Sequence, residues 1–272
     1  MAMRVHHLNC GSLCPAFSSF MGPRGFMLCH CLLIETEDGL VLVDTGFGQA
    51  DLAEPIKRLG WGFKTMTRPK LDPAETAWAQ VQKLGFSVDD VRHIFLTHLD
   101  LDHAGGLSDF PRAKVHIHAP ELDAAAARTH FLERERYKPL QWAHGPEWVR
   151  HEVHGESWKG FDCVSAVEGL PDLLIVPLAG HTRGHAGIAV HTDGGWLLHC
   201  GDAYFSHFEM DVEKPSCPVG LRIFQSVMQM NGKERHHNQA RLRELARDHG
   251  DVRLFCAHDP DELDGFNRPA GL

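Results

Sequence analysis

Within six positions, His98-Leu99-Asp100-Leu101-Asp102-His103, this chain sets two imidazoles and two carboxylates. The segment follows His93-Ile-Phe-Leu-Thr97, an apolar run of strand-forming residues. A polar cluster where a buried strand leaves its sheet needs partners, so the fold must bring other polar groups to the same rim. Imidazole and carboxylate are the ligands that a divalent metal takes from such a loop. His98 and Asp100, two apart, can project to one side, and Asp102 and His103 fall past the turn toward the other. That arrangement suits two adjacent ions better than one. Asp102 alone could cap a helix beginning near Ala104, but a cap leaves the two histidines unexplained.

Three later segments have the same form. Gly180-His181-Thr-Arg-Gly-His185 follows LLIVPLA, Cys200-Gly201-Asp202 follows WLLH, and Ala257-His258-Asp259 follows VRLFC. Upstream, Leu42-Val43-Asp44-Thr45-Gly46 ends a run in the same manner. The runs 3–8 and 28–36 read as strands, and E-D-G before LVLVD signals a hairpin. Asp72-Pro73-x-Glu75 reads as the capped start of a helix with Ala74, Ala77, Trp78, Val81 and Leu84 on its apolar stripe and Gly85 at its end. Further strands are expected at 93–97, 114–118, 172–178, 186–191, 196–200 and 252–257, with a D-G-G turn at 193–195 and a helix over 235–249. This is a mixed α/β order. It contains no internal repeat and no low-complexity linker, so one domain over 1–272 is expected. The least regular stretch, 119–170, reads either as a helical insertion or lid, or as an outer layer.

Composition narrows the classes. A chain that is 43% hydrophobic and 23% charged is neither disordered nor fibrous. Its net charge of −9 makes nucleic acid a poor partner, because phosphates demand a basic surface. No apolar run approaches the ~18 residues of a membrane span. The start, MAMRVHHLNCGS, lacks the pattern of a secretory signal, so a cytoplasmic location is expected. The eight cysteines form no C-x-x-C pair and are expected to be reduced, with Cys29 and Cys31 on one side of a strand.

Taken in order, these motifs resemble the metallo-β-lactamase superfamily, from about residue 28 to 260. The resemblance implies a four-layer αββα sandwich with a binuclear site at one edge. Carried over by position, it gives His98, Asp100 and His181 to the first metal, Asp102, His103 and His258 to the second, and Asp202 to both. Two divalent ions are implied, zinc foremost. Asp44 matches a buried aspartate that orients ligands without binding metal. His185 matches a residue behind the ligands.

One position departs from the family pattern. The usual motif is His-x-His-x-Asp-His, and Asp100 stands at its second histidine. The extra carboxylate makes the ligand set more negative, which should weaken Lewis acidity and favour harder ions such as Mn or Fe. Flavodiiron oxygen reductases are similar in carrying an acid there, but only 14 residues follow His258, too few for their flavodoxin domain.

The resemblance implies a metal-bound hydroxide attacking an activated acyl compound: a lactone, ester or thioester, with a lactonase-like enzyme favoured. The partner is a small-molecule acyl substrate. Asp102 would orient the nucleophile or move its proton, and Tyr204 would either hold the substrate carbonyl or simply pack. Phe17, Phe20, Met21, Phe26 and Met27 read as core or as pocket wall. Two other classes stay open: an iron-dependent oxidoreductase of the same fold, and a non-catalytic binding protein with a weakened site.

Overall fold

Strand pairing begins at the Glu37-Asp38 turn, where Gly39, at φ +129°, pairs with Thr36 and sends the chain back antiparallel. The computed structural model describes residues 3–16, 18–152, 157–162, 164–165, 170 and 172–268. Its first sheet has the order β1 (Arg4–Leu13), β2 (Met27–Thr36), β3 (Gly39–Val43), β4 (Val91–Phe95), β5 (Lys114–His118), β6 (Glu147–His151). The pairs β1–β2 and β2–β3 are antiparallel, and the remaining pairs of that sheet are parallel. A short hairpin joins β7 (Ser157–Trp158) to β8 (Phe161–Asp162). The second sheet is built from β9 (Val164–Ser165), β10 (Leu173–Pro177), β11 (Ala186–Thr192), β12 (Gly195–His199) and β13 (Val252–Phe255), in the order β13-β12-β11-β10-β9. Only β12–β13 is parallel in it.

Alternation along the strands assigns the layers. Leu32, Ile34, Val41, Val43 and Phe95 of the first sheet meet Leu173, Ile175, Ile188, Val190 and Phe255 of the second. The intervening Leu33, Leu42 and Ile94 face outward onto Ala77, Val81, Leu107 and Ala124 of the helices that cover the first sheet. On the far side, Val176, Ala189 and Leu198 pack on Leu242 and Leu245 of the helix Gly232–Asp248. Helix, sheet, sheet, helix is the expected αββα order. Cys29 and Cys31 share one face with Cys10, and the seven described cysteines are all free; Cys163 lies outside the described residues. Among the described residues, no helix is long and apolar enough to cross a membrane.

The expected strands at 93–97 and 252–257 stop two residues early. Thr97 leaves the ladder because its N–H and hydroxyl both donate to Asp44. The helix read from Asp72 is divided. Asp72 caps a single turn, Pro73–Glu75, and the α-helix Ala77–Lys83 starts anew at Thr76, whose hydroxyl accepts from Ala79 N–H. Glu75, read as a capping-box residue, instead accepts from Ser12 and pairs with Lys70. Its stripe shrinks to Ala77 and Val81, and Trp78 and Leu84 are exposed. Within 119–170, the helix Ala119–Ala127 covers the first sheet at β5 and β6, the helix Phe131–Arg136 brings Arg136 to the site, and β6 supplies the sheet's edge strand. That strand escaped notice because an edge strand is only half buried and lacks a clean apolar alternation. Residues 153–156, 163 and 166–169 of the stretch lie outside the described residues.

Three histidines cross the first sheet in a row. His93 Nδ1 lies 2.9 Å from His116 Nε2, and His116 Nδ1 lies 2.9 Å from His151 Nε2. Burial, with the neighbouring His151, His93 and Lys114, pushes His116 down to about 3. Between pH 6.5 and about 3 the unfolded chain therefore binds a proton at this position that the folded chain does not. Its contribution to stability is complete above pH 6.5 and falls as pH drops. Urea unfolding at pH 7 and pH 5 should show the parent losing stability more steeply than His116→Gln, by about 1.4 kcal/mol per pH unit for one proton. Equal slopes would contradict this assignment.

Candidate metal centre

All the motif residues hang from strand ends at one rim. β10 and β12 run the same way, both antiparallel to β11, and β13 is parallel to β12. Their C-terminal ends therefore lie together and deliver His181, Asp202 and His258 to one edge. β3 and β4, also parallel, deliver Asp44 and the 98–103 segment. Gly201, at φ +52°, makes the turn before Asp202; a Cβ there would stand 2.6 Å from His185 Nε2.

The structure brings all seven sequence-predicted metal residues together, each buried. They form two groups: His98, Asp100, His181 and Asp202, then Asp102, His103 and His258. In the first, His181 Nε2 lies 3.0 Å from Asp100 Oδ2 and 3.3 Å from Asp202 Oδ2. His98 Nε2 lies 3.5 Å from Asp100 Oδ2 and 3.8 Å from Asp202 Oδ2. In the second, Asp202 Oδ1 lies 3.3 Å from His103 Nε2 and 3.0 Å from His258 Nε2, and Asp102 Oδ2 is 3.8 Å from His258 Nε2. Asp202 thus lies between the groups: Oδ1 faces the second, and Oδ2 faces the first while also lying 3.2 Å from His258 Nε2.

The imidazoles are held from behind. His103 Nδ1 lies 2.8 Å from Asp44 Oδ2, and His258 Nδ1 lies 2.7 Å from the Leu28 carbonyl. Thr97 spends its one hydroxyl proton on Asp44, so its oxygen can only accept from His98 Nδ1 at 2.9 Å. In all three rings Nδ1 is the nitrogen engaged from behind and Nε2 faces inward, where a cation could replace its proton. His185 does not face the cluster as a ligand: its Nε2 accepts from the Asp202 N–H. Burial holds its pKa well below the ordinary value, as an acceptor requires. Asp44 itself has φ +56°, a left-handed conformation that a short polar side chain tolerates.

The fit to metal is tested by what lacks a partner. His98 Nε2, His103 Nε2 and Asp100 Oδ1 are buried without a hydrogen bond. Ligands at ~2.0–2.1 Å from a tetrahedral ion stand about 3.3 Å apart, close to the separations here. Burial alone would lower His103, yet Asp202 and Asp44 raise it well above the usual range. Carboxylates that pull positive charge onto nearby imidazoles form a cavity suited to cations.

The structure bears on two sequence expectations. Tyr204 does not reach the cluster. It is fully buried among Cys200, Cys256 and Leu242, and its hydroxyl donates to Glu262 Oε1 at 2.9 Å. Two residues past Asp202, the chain has turned into the layer behind the second sheet. The second concerns charge. Asp100 carries the added negative charge that the sequence implies, and the buried Arg136 guanidinium stands beside it, Nε 3.4 Å from Oδ1. Burial would push the Asp100 carboxyl up; Arg136 and His98, with His181, hold it well below the carboxylate range.

Sequence reading also missed Glu121, a fully buried carboxylate on the helix after β5. It accepts from Leu99 N–H, Tyr137 OH, Thr182 OH and Gly184 N–H, tying the 98–103 loop to the 181–185 loop. A glutamate in the first turn of an alanine-rich helix carries no signal of this in one sequence. Of the aromatic segment, Met27 is buried and lines the cleft over the cluster with Phe63, Met66 and Phe205. Phe20 is exposed, and Phe17 lies outside the described residues.

The sequence profile of the metallo-β-lactamase superfamily matches residues 24–258. This chain belongs to that superfamily. A protein of Mycobacterium tuberculosis described as a probable metallo-hydrolase is 44% identical over 261 residues, covering 95% of this chain and 81% of its own. An N-acyl homoserine lactonase of Bacillus cereus is 26% identical over 186 residues, 68% of this chain and 67% of its own. Among solved structures, an N-acyl homoserine lactone hydrolase with N-hexanoyl-L-homoserine at its catalytic metal centre superposes with a TM-score of 0.71 at 20% identity, over 97% of this chain and 95% of that one. That likeness carries the fold.

Asp44→Asn keeps the backbone conformation and removes no ligand, but it replaces a carboxylate oxygen facing His103 and Thr97. Metal affinity should fall by roughly 10–100-fold, measured by chelator competition. Unchanged affinity would mean that Asp44 does not orient the ring.

Proposed function

We propose that this chain is a single-domain metal-dependent hydrolase with a binuclear centre, acting on a lactone or related ester, in the manner of a lactonase. The observation that carries the reading is the pair of His/Asp groups sharing Asp202, with unpartnered Nε2 atoms facing inward at the floor of an apolar cleft. The names of the Bacillus lactonases and of a structurally similar dizinc quorum-quenching lactonase point to the same class. Four imidazoles among the donors support zinc. The seven free cysteines described support work in the reducing cytoplasm.

Two divalent ions held by these residues would supply Lewis acidity for a carbonyl and a water that deprotonates near neutral pH. Asp202, standing between the two groups, would set their spacing and is itself fixed through His185. Asp102, the carboxylate that stands with His103 and His258, would orient the water or move its proton. An apolar groove lined by Phe63, Met66, Leu101, Phe131, Val227 and Met228 opens beside Asp100. It would shelter an uncharged acyl chain while the carbonyl lies over the cluster.

Purified protein should open simple lactones or cleave aryl esters, and a chelator should abolish turnover. Asp202→Ala should lower bound metal at both groups, and His93→Ala, away from the cluster, should leave it intact. A panel of lactones, esters and thioesters without metal-dependent turnover would refute the hydrolase reading. Oxygen uptake by an iron-loaded sample would move the chain to the oxidoreductases.

A further inference from the structure

Arg136 ends the helix Phe131–Arg136 and is almost wholly buried, an unusual place for a guanidinium. Its Nη1 donates to the His181 carbonyl at 3.0 Å and its Nη2 to the Met228 carbonyl at 2.6 Å. Its Nε faces Asp100 Oδ1 at 3.4 Å, and neither of those two atoms has another partner. Asp100 meanwhile turns Oδ2 to His98 and His181. One side chain therefore holds the carboxylate of one member of the first group and the backbone of another. The helix that carries it is locked in turn: Glu133 caps it by accepting from His130 N–H and pairs with Arg183, and Tyr137 donates to Glu121.

We infer that Arg136 is a positioning residue for the first metal group, and that Asp100 and Arg136 act as one neutral unit, the guanidinium aiming the carboxylate and offsetting its charge. The inference rests on the metal-centre reading above. A buried pair of this kind is costly to break on one side only, because the partner left behind is a bare charge in a low-dielectric setting. Its consequence runs against the motif. Asp100→His restores the pattern usual in the superfamily and supplies a good zinc ligand, yet it leaves Arg136 uncompensated beside a cation site. Metal binding should then become worse. Neutralising Arg136 in the same chain should bring it back.

The test uses four full-length proteins: the parent, Asp100→His, Asp100→His with Arg136→Gln, and Asp100→His with Arg136→Lys. Glutamine keeps a donor for the backbone carbonyls without the charge, whereas lysine keeps the charge without the fork. Each is loaded with zinc and dialysed against a weak chelator. Zinc per chain is measured by atomic emission, and folding is checked by melting in circular dichroism. We expect Asp100→His to fall toward about one zinc per chain, with affinity at the first group reduced on the order of tenfold or more. Arg136→Gln should restore zinc retention, and Arg136→Lys should not. If Asp100→His does not fold, Asp100→Asn with the same two second changes asks the same question. Parent-like retention by Asp100→His, or equal effects of glutamine and lysine, would overturn the inference while leaving the metal centre standing. A parent protein that retains no divalent ion would overturn the metal-centre reading and this inference with it.

Discussion

The buried carboxylate of Asp44 is the interaction on which the rest of this site depends. Its Oδ1 takes the Thr97 N–H and its Oδ2 takes the Thr97 hydroxyl and faces His103. These contacts end strand β4, start the 98–103 loop and set the tautomers of His98 and His103 together. Burial would neutralise such a group; His103 holds its pKa below the ordinary value. A charge stabilised there reaches both metal groups at once, through one ring in each.

Around that point, the two sheets act as a jig. Parallel neighbours place successive strand ends on one rim, so residues far apart in sequence arrive within a few ångströms of each other. The outer helices do more than cover apolar faces. Glu121, Arg136 and Tyr137 reach inward from the layer over the first sheet and fasten the ligand loops. The site is thus held from two directions: from strand ends below and from helix ends at its side.

The seven clustered residues were legible in the sequence because each motif is short, polar and set at the end of an apolar run. The hairpins were legible through Asp-Gly turns, and the helix at 232–248 through Leu242 and Leu245. What was not legible depends on contacts between distant segments. Arg136 and Glu121 look like ordinary residues of a polar helix until the fold sets them against Asp100 and Gly184. Tyr204 stayed open between a site role and packing because proximity to Asp202 along the chain says nothing of direction after a turn through Gly201. Trp78 was misplaced because it stands beside the buried line of Ala77 and Val81, at the exposed margin of the stripe.

The most direct test of the account is anomalous diffraction from crystals of the zinc-loaded protein, collected above and below the zinc edge. The account predicts two peaks roughly 3.5–4 Å apart. One should lie among His98, Asp100 and His181, the other among Asp102, His103 and His258, with an oxygen of Asp202 next to each. A single peak, or two peaks with Asp202 bound to neither ion, would contradict it.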